Sequence, residues 1–232
     1  ALPPKWVRWE TPKYVPPSPF EFNKILVPTM DTVRYTYFLR KTIDFRKPVI
    51  FVGESGTAKT VIIKNFLSQL DATKNVPLLV NFSSRTSSMD VQTIIETATE
   101  QRGSTNVFGP TVGKQMLVFI DDLNMPKVDD YGTQQPIALL KFLVERDAMY
   151  DRSKDESQLR LTKKTFRDLL YIAAMAPPGG GRNAVDPRFI ALFNVFAINF
   201  PSDESLHLIY SSILKTHVAE RHFHEDVQGE VC

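Results

Sequence analysis

A glycine-rich stretch between two apolar segments constrains the fold of this chain more than any other feature of its sequence. The stretch is GESGTAKT, residues 53–60, with VIFV before it and VIIKNFLSQL after it. The first run is β-rich and predicts a short buried strand at Val49–Val52. In the second, apolar residues recur at i, i+3, i+4 and i+7 from Ile63 to Leu70, which predicts a helix with one buried face. A strand, a tight turn and a helix in this order are typical of an α/β layer.

Four further apolar runs predict strands at Leu78–Phe82, Leu117–Ile120, Leu169–Ala174 and Val195–Phe200. Helical segments separate these runs. One opens at a capping box from Ser87 to Asp90, and another at Gln135-Pro136, where proline occupies the tolerated first turn. Runs that are apolar on both faces and separated by helices indicate a mainly parallel sheet covered on each side. The sequence therefore predicts an α/β fold with three layers and a five-stranded sheet.

The two ends of the chain differ from this alternating region. Residues 1–20 carry six prolines, with Trp6, Trp9 and Tyr14 between them, a composition that excludes helix and central strand. We expect a proline-rich connector there; a ligand for a proline-binding module is the alternative. We expect residues 21–201 to form the large α/β subdomain. Residues 202–232 contain a predicted helix with an apolar stripe, and we expect them to be the truncated start of a small helical subdomain.

Charge and cysteine content exclude several classes of protein. The formal net charge is +2, too small to indicate nucleic acid or an anionic membrane as a partner. The single cysteine, Cys232, cannot form a disulfide within the chain, and the opening residues lack the apolar core of a signal peptide. No stretch approaches the roughly 18 apolar residues of a membrane span. We expect a soluble intracellular protein.

The glycine-rich stretch also predicts a phosphate site. It matches G-x-x-x-x-G-K-[ST] except that Ala58 replaces the second glycine. Backbone N–H groups at the start of a helix converge on an anion, Lys59 adds a cation for the β- and γ-phosphates, and the Thr60 hydroxyl is a ligand for Mg²⁺. Alanine at position 58 costs little if its φ is negative, and about 1–3 kcal/mol if its φ is positive.

Two carboxylates end the strand in LVFIDD. A carboxylate at this place holds Mg²⁺ directly or through water, which makes Asp121 the predicted metal partner. Most hydrolases of this architecture have a glutamate next, which polarises the attacking water; this chain has Asp122. Aspartate is one methylene shorter, and a misplacement of about 1 Å reduces the rate on the order of 10²-fold.

Taken in order along the chain, these motifs resemble an AAA+ ATPase (P-loop NTPase) module of a dynein heavy chain motor ring. The segments that carry the resemblance are FNKILVPTMDTVRYTYFL, VGESGTAKT, FIDDLNMPKVDDYGTQQPIALLKFL, AAMAPPGGGRNAVDPRF and FAINFP. They cover about residues 20–215. The sequence is most similar to the third module of an axonemal (ciliary) dynein. The resemblance implies a sheet order of 5-1-4-3-2, with the strand before the glycine loop in the centre.

The resemblance also implies the roles of individual residues. Its nucleotide-binding positions are Gly53, Glu54, Ser55, Gly56, Thr57, Ala58, Lys59 and Thr60, with Thr60 and Asp121 as the metal ligands. The adenine pocket would be lined around Ile25–Pro28, chiefly by Val27 and Pro28; plain core and turn roles are the alternative. Lys59 and Asp122 are the implied catalytic residues. Arg188 is the implied finger that acts in trans on a neighbouring module, and a solvated surface arginine is its alternative.

The function implied by the resemblance is ATP or ADP binding with Mg²⁺, coupled to a microtubule motor in the cytoskeleton of a cilium or flagellum. The implied partners are neighbouring AAA+ modules, dynein intermediate and light chains, and, through the rest of the heavy chain, microtubules. Ala176 stands where related modules have an asparagine that positions water. Together with Asp122, it predicts slow or gated hydrolysis and a fragment nearly inert by itself. The alternative is a structural module that holds ADP or no nucleotide.

Overall fold

The structure, a computed structural model, describes residues 5–17, 25–103, 106–152 and 162–220. Its helices are α1 (Met30–Asp44), α2 (Lys59–Ser68), α3 (Ser88–Ala98), α4 (Gln135–Arg146), α5 (Pro187–Ile190) and α6 (Asp203–Glu220). Its strands are β1 (Val49–Val52), β2 (Asn75–Asn81), β3 (Glu100–Gln101), β4 (Val107–Gly109), β5 (Gln115–Asp121), β6 (Ala148–Tyr150), β7 (Lys163–Phe166), β8 (Leu169–Met175) and β9 (Asn194–Ala197).

Five parallel strands form the main sheet in the order β2-β5-β8-β1-β9. Numbered by their sequence order within this sheet, the strands read 2-3-4-1-5. Read from the opposite edge, this is 5-1-4-3-2, the order that the resemblance implies. The α/β fold with a five-stranded parallel sheet is therefore confirmed. Strand β1 lies between β8 and β9, so it is an interior strand, one position from the edge of the sheet, and the glycine loop follows it. Parallel strands place their carboxyl ends at one edge, where ligands bind in open α/β sheets.

Successive side chains of β1 enter two different cores, as the strand pleat requires. Ile50 packs into a core with residues of α3, α4 and α5, whereas Val49 and Phe51 pack into a core with residues of α1 and α2. All three side chains are fully buried. Helices thus cover both faces of the sheet, which is why this interior strand is apolar throughout.

A second sheet was not predicted from the sequence. It contains β3-β4-β7-β6, with antiparallel pairs at β3/β4 and β6/β7 and a parallel pair at β4/β7. Its strands have two to four residues, and KKTF in β7 is largely polar, so no apolar run marks them. The predicted last strand, Val195–Phe200, was too long: β9 ends at Ala197, and the chain then crosses the glycine loop at Ile198.

The ends of the described chain pack only partly on the main domain. Residues 5–17 form neither helix nor strand, and the Trp9 ring lies edge-on to Tyr37 with centroids 5.1 Å apart. Helix α6 follows the main sheet; its Ile209 is half-buried, whereas Tyr210 is exposed. Of the helices in the described part of the chain, none is long and apolar enough to cross a membrane.

Candidate nucleotide-binding site

The glycine loop is built by two glycines with different roles. A Cβ at Gly53 would lie 2.3 Å from the carbonyl oxygen of Ile198, so no larger residue fits where the chain crosses the loop. Gly56 has φ +86°, a left-handed conformation that glycine adopts without steric cost. Inside the loop, the Thr57 hydroxyl donates to the Glu54 carbonyl at 2.9 Å. The shape of the loop is therefore set by these two glycines and by its internal hydrogen bond.

Ala58 is the N-cap of α2 and has φ 63° and ψ 16°, in the left-handed region. The cost predicted for alanine at this position depends on the sign of φ, and the observed φ is positive. The left-handed conformation costs a residue with a Cβ about 1–2 kcal/mol relative to glycine. The loop thus keeps the backbone shape for which the motif uses glycine, at the expense of local strain.

Lys59 bends back over the loop. Its Nζ donates to the Glu54 carbonyl at 2.6 Å and to the Thr57 hydroxyl at 3.2 Å. Burial lowers the pKa of the Lys59 ammonium from its ordinary value, and the Arg182 charge lowers it further, whereas Asp121 and Asp122 act in the opposite direction. An anion at the loop would oppose this shift, because an opposite charge favours the charged form of a lysine.

Thr60 and Asp121 meet across the site. The Thr60 hydroxyl donates to Asp121 Oδ1 at 3.0 Å, which joins the first turn of α2 to the end of β5. Magnesium binds oxygen ligands at 2.0–2.1 Å in octahedral geometry, so two ligands at right angles lie about 2.9 Å apart. The separation of these two oxygen atoms and their chemistry both fit a shared Mg²⁺.

An arginine absent from the sequence predictions reaches the same site. Arg182 Nη2 lies 3.6 Å from Asp122 Oδ1. Asp122 directly follows β5, has φ 53° and is exposed, and its backbone N–H donates to Asp121 Oδ1 at 3.2 Å. Aspartate is among the residues that tolerate a left-handed backbone. Three glycines precede the arginine in a loop after β8, a signal that could have placed it at this edge of the sheet.

A cavity of about 280 Å³ brings these groups together; its lining residues are Ser55, Gly56, Ala58, Lys59, Thr60, Val61, Asp121, Asp122, Ala174, Ala176 and Arg182. Ala176 thus lies at the site and offers no side-chain hydrogen bond. Asn124 is nearby in the fold but fully buried, and its amide donates to the Ala176 carbonyl at 2.7 Å. That amide ties two loops together and does not line the cavity.

A second, apolar cavity of about 160 Å³ lies beside the first; its lining residues are Ile25, Leu26, Val27, Thr29, Asp31, Thr32, Tyr35, Thr57, Ala58, Val61, Ile62, Asn199, Pro201, Ile209 and Ile213. Both cavities share Ala58 and Val61. Val27 lines the apolar cavity, whereas Pro28 lines a separate groove with Tyr14. The pair of cavities has room for a flat apolar ring on one side of the loop and for phosphates on the other.

Arg188 lies apart from both cavities. It is exposed in α5, and its backbone N–H donates to the carboxylate of Asp186 at 2.9 Å. Asp186 also pairs with Lys141 at 3.0 Å. The arginine is therefore presented to solvent and does not reach the glycine loop of its own chain.

The 5-1-4-3-2 sheet, with a lysine-bearing glycine loop after its first strand in sequence, defines a P-loop nucleotide-binding module of the AAA+ class. A family described as the P-loop containing dynein motor region matches residues 14–201. Two similar relatives are human dynein axonemal heavy chain 10, 54% identical over 96% of this chain, and the Chlamydomonas reinhardtii dynein-1-alpha heavy chain of the flagellar inner arm I1 complex, 55% identical over 93%. Mouse dynein axonemal heavy chain 12 is 44% identical over 92%.

The chain belongs to this family of dynein motor regions. It spans 5% of the length of the first two relatives and 7% of the third. Such relatives are long heavy chains in which a region of this size is one part of a larger molecule.

Proposed function

We propose that this chain is the third AAA+ module of an axonemal dynein heavy chain and that it binds ATP with Mg²⁺. One observation carries the proposal: an apolar cavity and a charged cavity meet at Ala58 and Val61, on either side of the P-loop. The names of the relatives support a place in the cilium or flagellum axoneme. The implied partners are neighbouring modules, dynein intermediate and light chains, and, indirectly, microtubules.

The proposed binding mode assigns a task to each part of the site. The apolar cavity, with Val27, accepts the adenine ring, and the loop amides with Lys59 bind the β- and γ-phosphates. Thr60 and Asp121 would hold Mg²⁺, which neutralises charge on those phosphates when bound. In this arrangement Glu54 and Thr57 give up their contacts with the Lys59 ammonium, which moves toward the phosphate tail.

For hydrolysis, we propose that Asp122 orients the attacking water. Its carboxylate is exposed at the end of β5, next to Asp121, and accepts a hydrogen bond from that water. Catalysis is slow for two reasons: aspartate is one methylene shorter than glutamate, and Ala176 offers no amide to hold the water on its other side. Turnover in a ring would also depend on an arginine from the adjacent module.

We further propose that Arg188 is such an arginine for another module. It is exposed, its short helix is fixed by the Asp186 cap, and it lies away from its own P-loop. We retain the division of the chain into a connector (1–20), a large subdomain (21–201) and the start of a helical lid (202–232). Helix α6 supports the last boundary, since it begins at Asp203, after the main sheet.

Equilibrium titration of the intact heavy chain with a fluorescent ATP analogue tests the binding proposal. Other sites on the heavy chain contribute equally to wild type and to Lys59→Ala, so the difference between the two isolates this P-loop. We expect Lys59→Ala to remove one binding site. Equal stoichiometry and equal affinity in the two proteins would refute nucleotide binding at this module.

A structural module that holds ADP or nothing is the second candidate. The strained Ala58, the short Asp122 and the apolar Ala176 favour it over an active ATPase. Denaturing the purified heavy chain and identifying the released nucleotides separates the two candidates. ADP that is present in wild type, absent from Lys59→Ala and not exchanged by excess ATP would favour the structural module.

A further inference from the structure

Arg182 is the one strongly basic group of the charged cavity besides Lys59 in the described chain. We infer that Arg182 binds the γ-phosphate and so makes this site prefer ATP to ADP. The inference rests on the proposed function, and it adds a residue that neither the P-loop motif nor the two strand-end carboxylates contain.

The loop that carries Arg182 is fixed in place. Gly179 and Arg182 form a tight antiparallel bridge, with a backbone hydrogen bond of 3.0 Å in each direction. Gly179, Gly180 and Gly181 have φ of 124°, 58° and 84°, which glycine adopts readily and other residues do not. The turn after β8 thus aims the arginine at the edge of the sheet where the P-loop also lies.

The residue after Arg182 anchors this turn to a second loop. The Asn183 backbone N–H donates to the Asn124 carbonyl at 3.0 Å, and its side-chain amide donates to the Pro126 carbonyl at 2.8 Å. Asn124 in turn donates to Ala176. The loops after β5 and β8 are therefore tied together by hydrogen bonds, which places the Arg182 backbone next to the loop that begins at Asp122.

The guanidinium has donors that are not used. Arg182 Nε is buried and has no hydrogen-bond partner among the residues that the structure describes. Its contact with Asp122 is 3.6 Å long, beyond hydrogen-bond distance, between side chains that are 27% and 52% exposed. Arg182 thus has both charge and free N–H groups for an additional anion in this cavity.

The γ-phosphate is the anion that fits. In the P-loop motif, the lysine at the Lys59 position binds the β- and γ-phosphates. Arg182 lines the same cavity and lies 3.6 Å from Asp122, the residue proposed to orient the attacking water. With ATP bound, the Arg182 guanidinium donates hydrogen bonds to the γ-phosphate and gives up its contact with Asp122. The Asp122 carboxylate is then available to the attacking water. With ADP, the arginine stays with Asp122.

The test compares ATPγS and ADP affinities of the intact heavy chain for wild type, Arg182→Ala and Arg182→Lys. Lys59→Ala supplies the background from other sites. Hydrogen bonds to charged groups contribute enough to predict a loss of about 10-fold or more in ATPγS affinity for Arg182→Ala. We expect ADP affinity to change by less than about twofold, since ADP lacks the contacted group, and Arg182→Lys to recover part of the loss.

Arg146→Ala is the matched control, because Arg146 is an exposed arginine at the end of α4, outside both cavities. It is expected to change neither affinity. Retained ADP binding in Arg182→Ala shows that the variant is folded. If both affinities fall equally, or neither falls, the inference is wrong although the proposed function stands. If wild type binds no more nucleotide than Lys59→Ala, the proposed function fails together with the inference.

Discussion

Replacing Ala58 with glycine is expected to stabilise the protein. The left-handed backbone at Ala58, with φ 63°, costs about 1–2 kcal/mol relative to glycine. Part of this gain is offset, because glycine increases the conformational entropy of the unfolded chain and so lowers the free energy of unfolding by about 0.4–1 kcal/mol. The net expectation is a gain of about 0.5–1 kcal/mol. For a chain of this size, that corresponds to a rise in Tm of about 1–4 °C.

Thermal unfolding of the 232-residue chain measures this gain. The matched control is Ala138→Gly, an exposed position inside α4, where glycine destabilises a helix by about 0.5–1 kcal/mol relative to alanine. The same substitution is thus expected to have opposite signs at the two positions. A Tm that falls for Ala58→Gly as much as for Ala138→Gly would show that the backbone at position 58 is not left-handed.

Nucleotide affinity provides a second readout of the same change. The left-handed backbone at position 58 belongs to the loop shape with which the motif binds phosphate, so we expect the same strain in the free and the bound protein. We therefore expect Ala58→Gly to change ATP affinity by less than about threefold, which is well below the 10-fold that a free-energy change of about 1.4 kcal/mol would produce. A larger gain in affinity would mean that the loop adopts this shape only when it binds.

Three further changes test other parts of the site. Gly53→Ala places a Cβ 2.3 Å from the Ile198 carbonyl oxygen and is expected to destabilise the chain by about 1–3 kcal/mol; an unchanged Tm would contradict this close approach. Thr60→Val removes the hydroxyl that meets Asp121 and is expected to lower ATP affinity about 10-fold with Mg²⁺ but not in EDTA; equal losses in both conditions would argue against a metal ligand. Asp122→Glu is expected to raise single-turnover hydrolysis at this site on the order of 10-fold or more, measured against Lys59→Ala in the intact heavy chain, and an unchanged rate would refute the argument from reach.

The main sheet was predictable because its strands are apolar on both faces. Val49–Val52 was predicted with its observed bounds, and the capping box at Ser87 and Asp90 is present. The second sheet was not predictable in the same way. Its strands are too short for a periodic signal, and β4 and β7 pair across more than 50 residues of sequence.

Of the candidate site, sequence reasoning identified the groups whose type and spacing carry a known chemistry, such as Lys59 and Thr60. It left the backbone at Ala58 open, because a side chain does not determine φ. It overlooked Arg182, since an arginine in a polar glycine-rich loop resembles any solvated surface residue. Only the tie between the two loops, through Asn183, brings that charge next to Asp122.

One side of the apolar cavity is formed by helix α6, so the contents of the cavity and the position of this helix are coupled. Ile209 and Ile213, one turn apart on α6, line this cavity together with Ile62 of α2. Helix α6 has 18 residues, and at 1.5 Å per residue it is a rod about 27 Å long. The seven residues that follow Ile213 up to Glu220 span about 10 Å, so a tilt of about 10° centred at the cavity would displace the end of the described helix by about 2 Å. A flat ring bound in this cavity would contact α6 directly, so its binding or release would change the tilt of the helix that leads away from the main sheet.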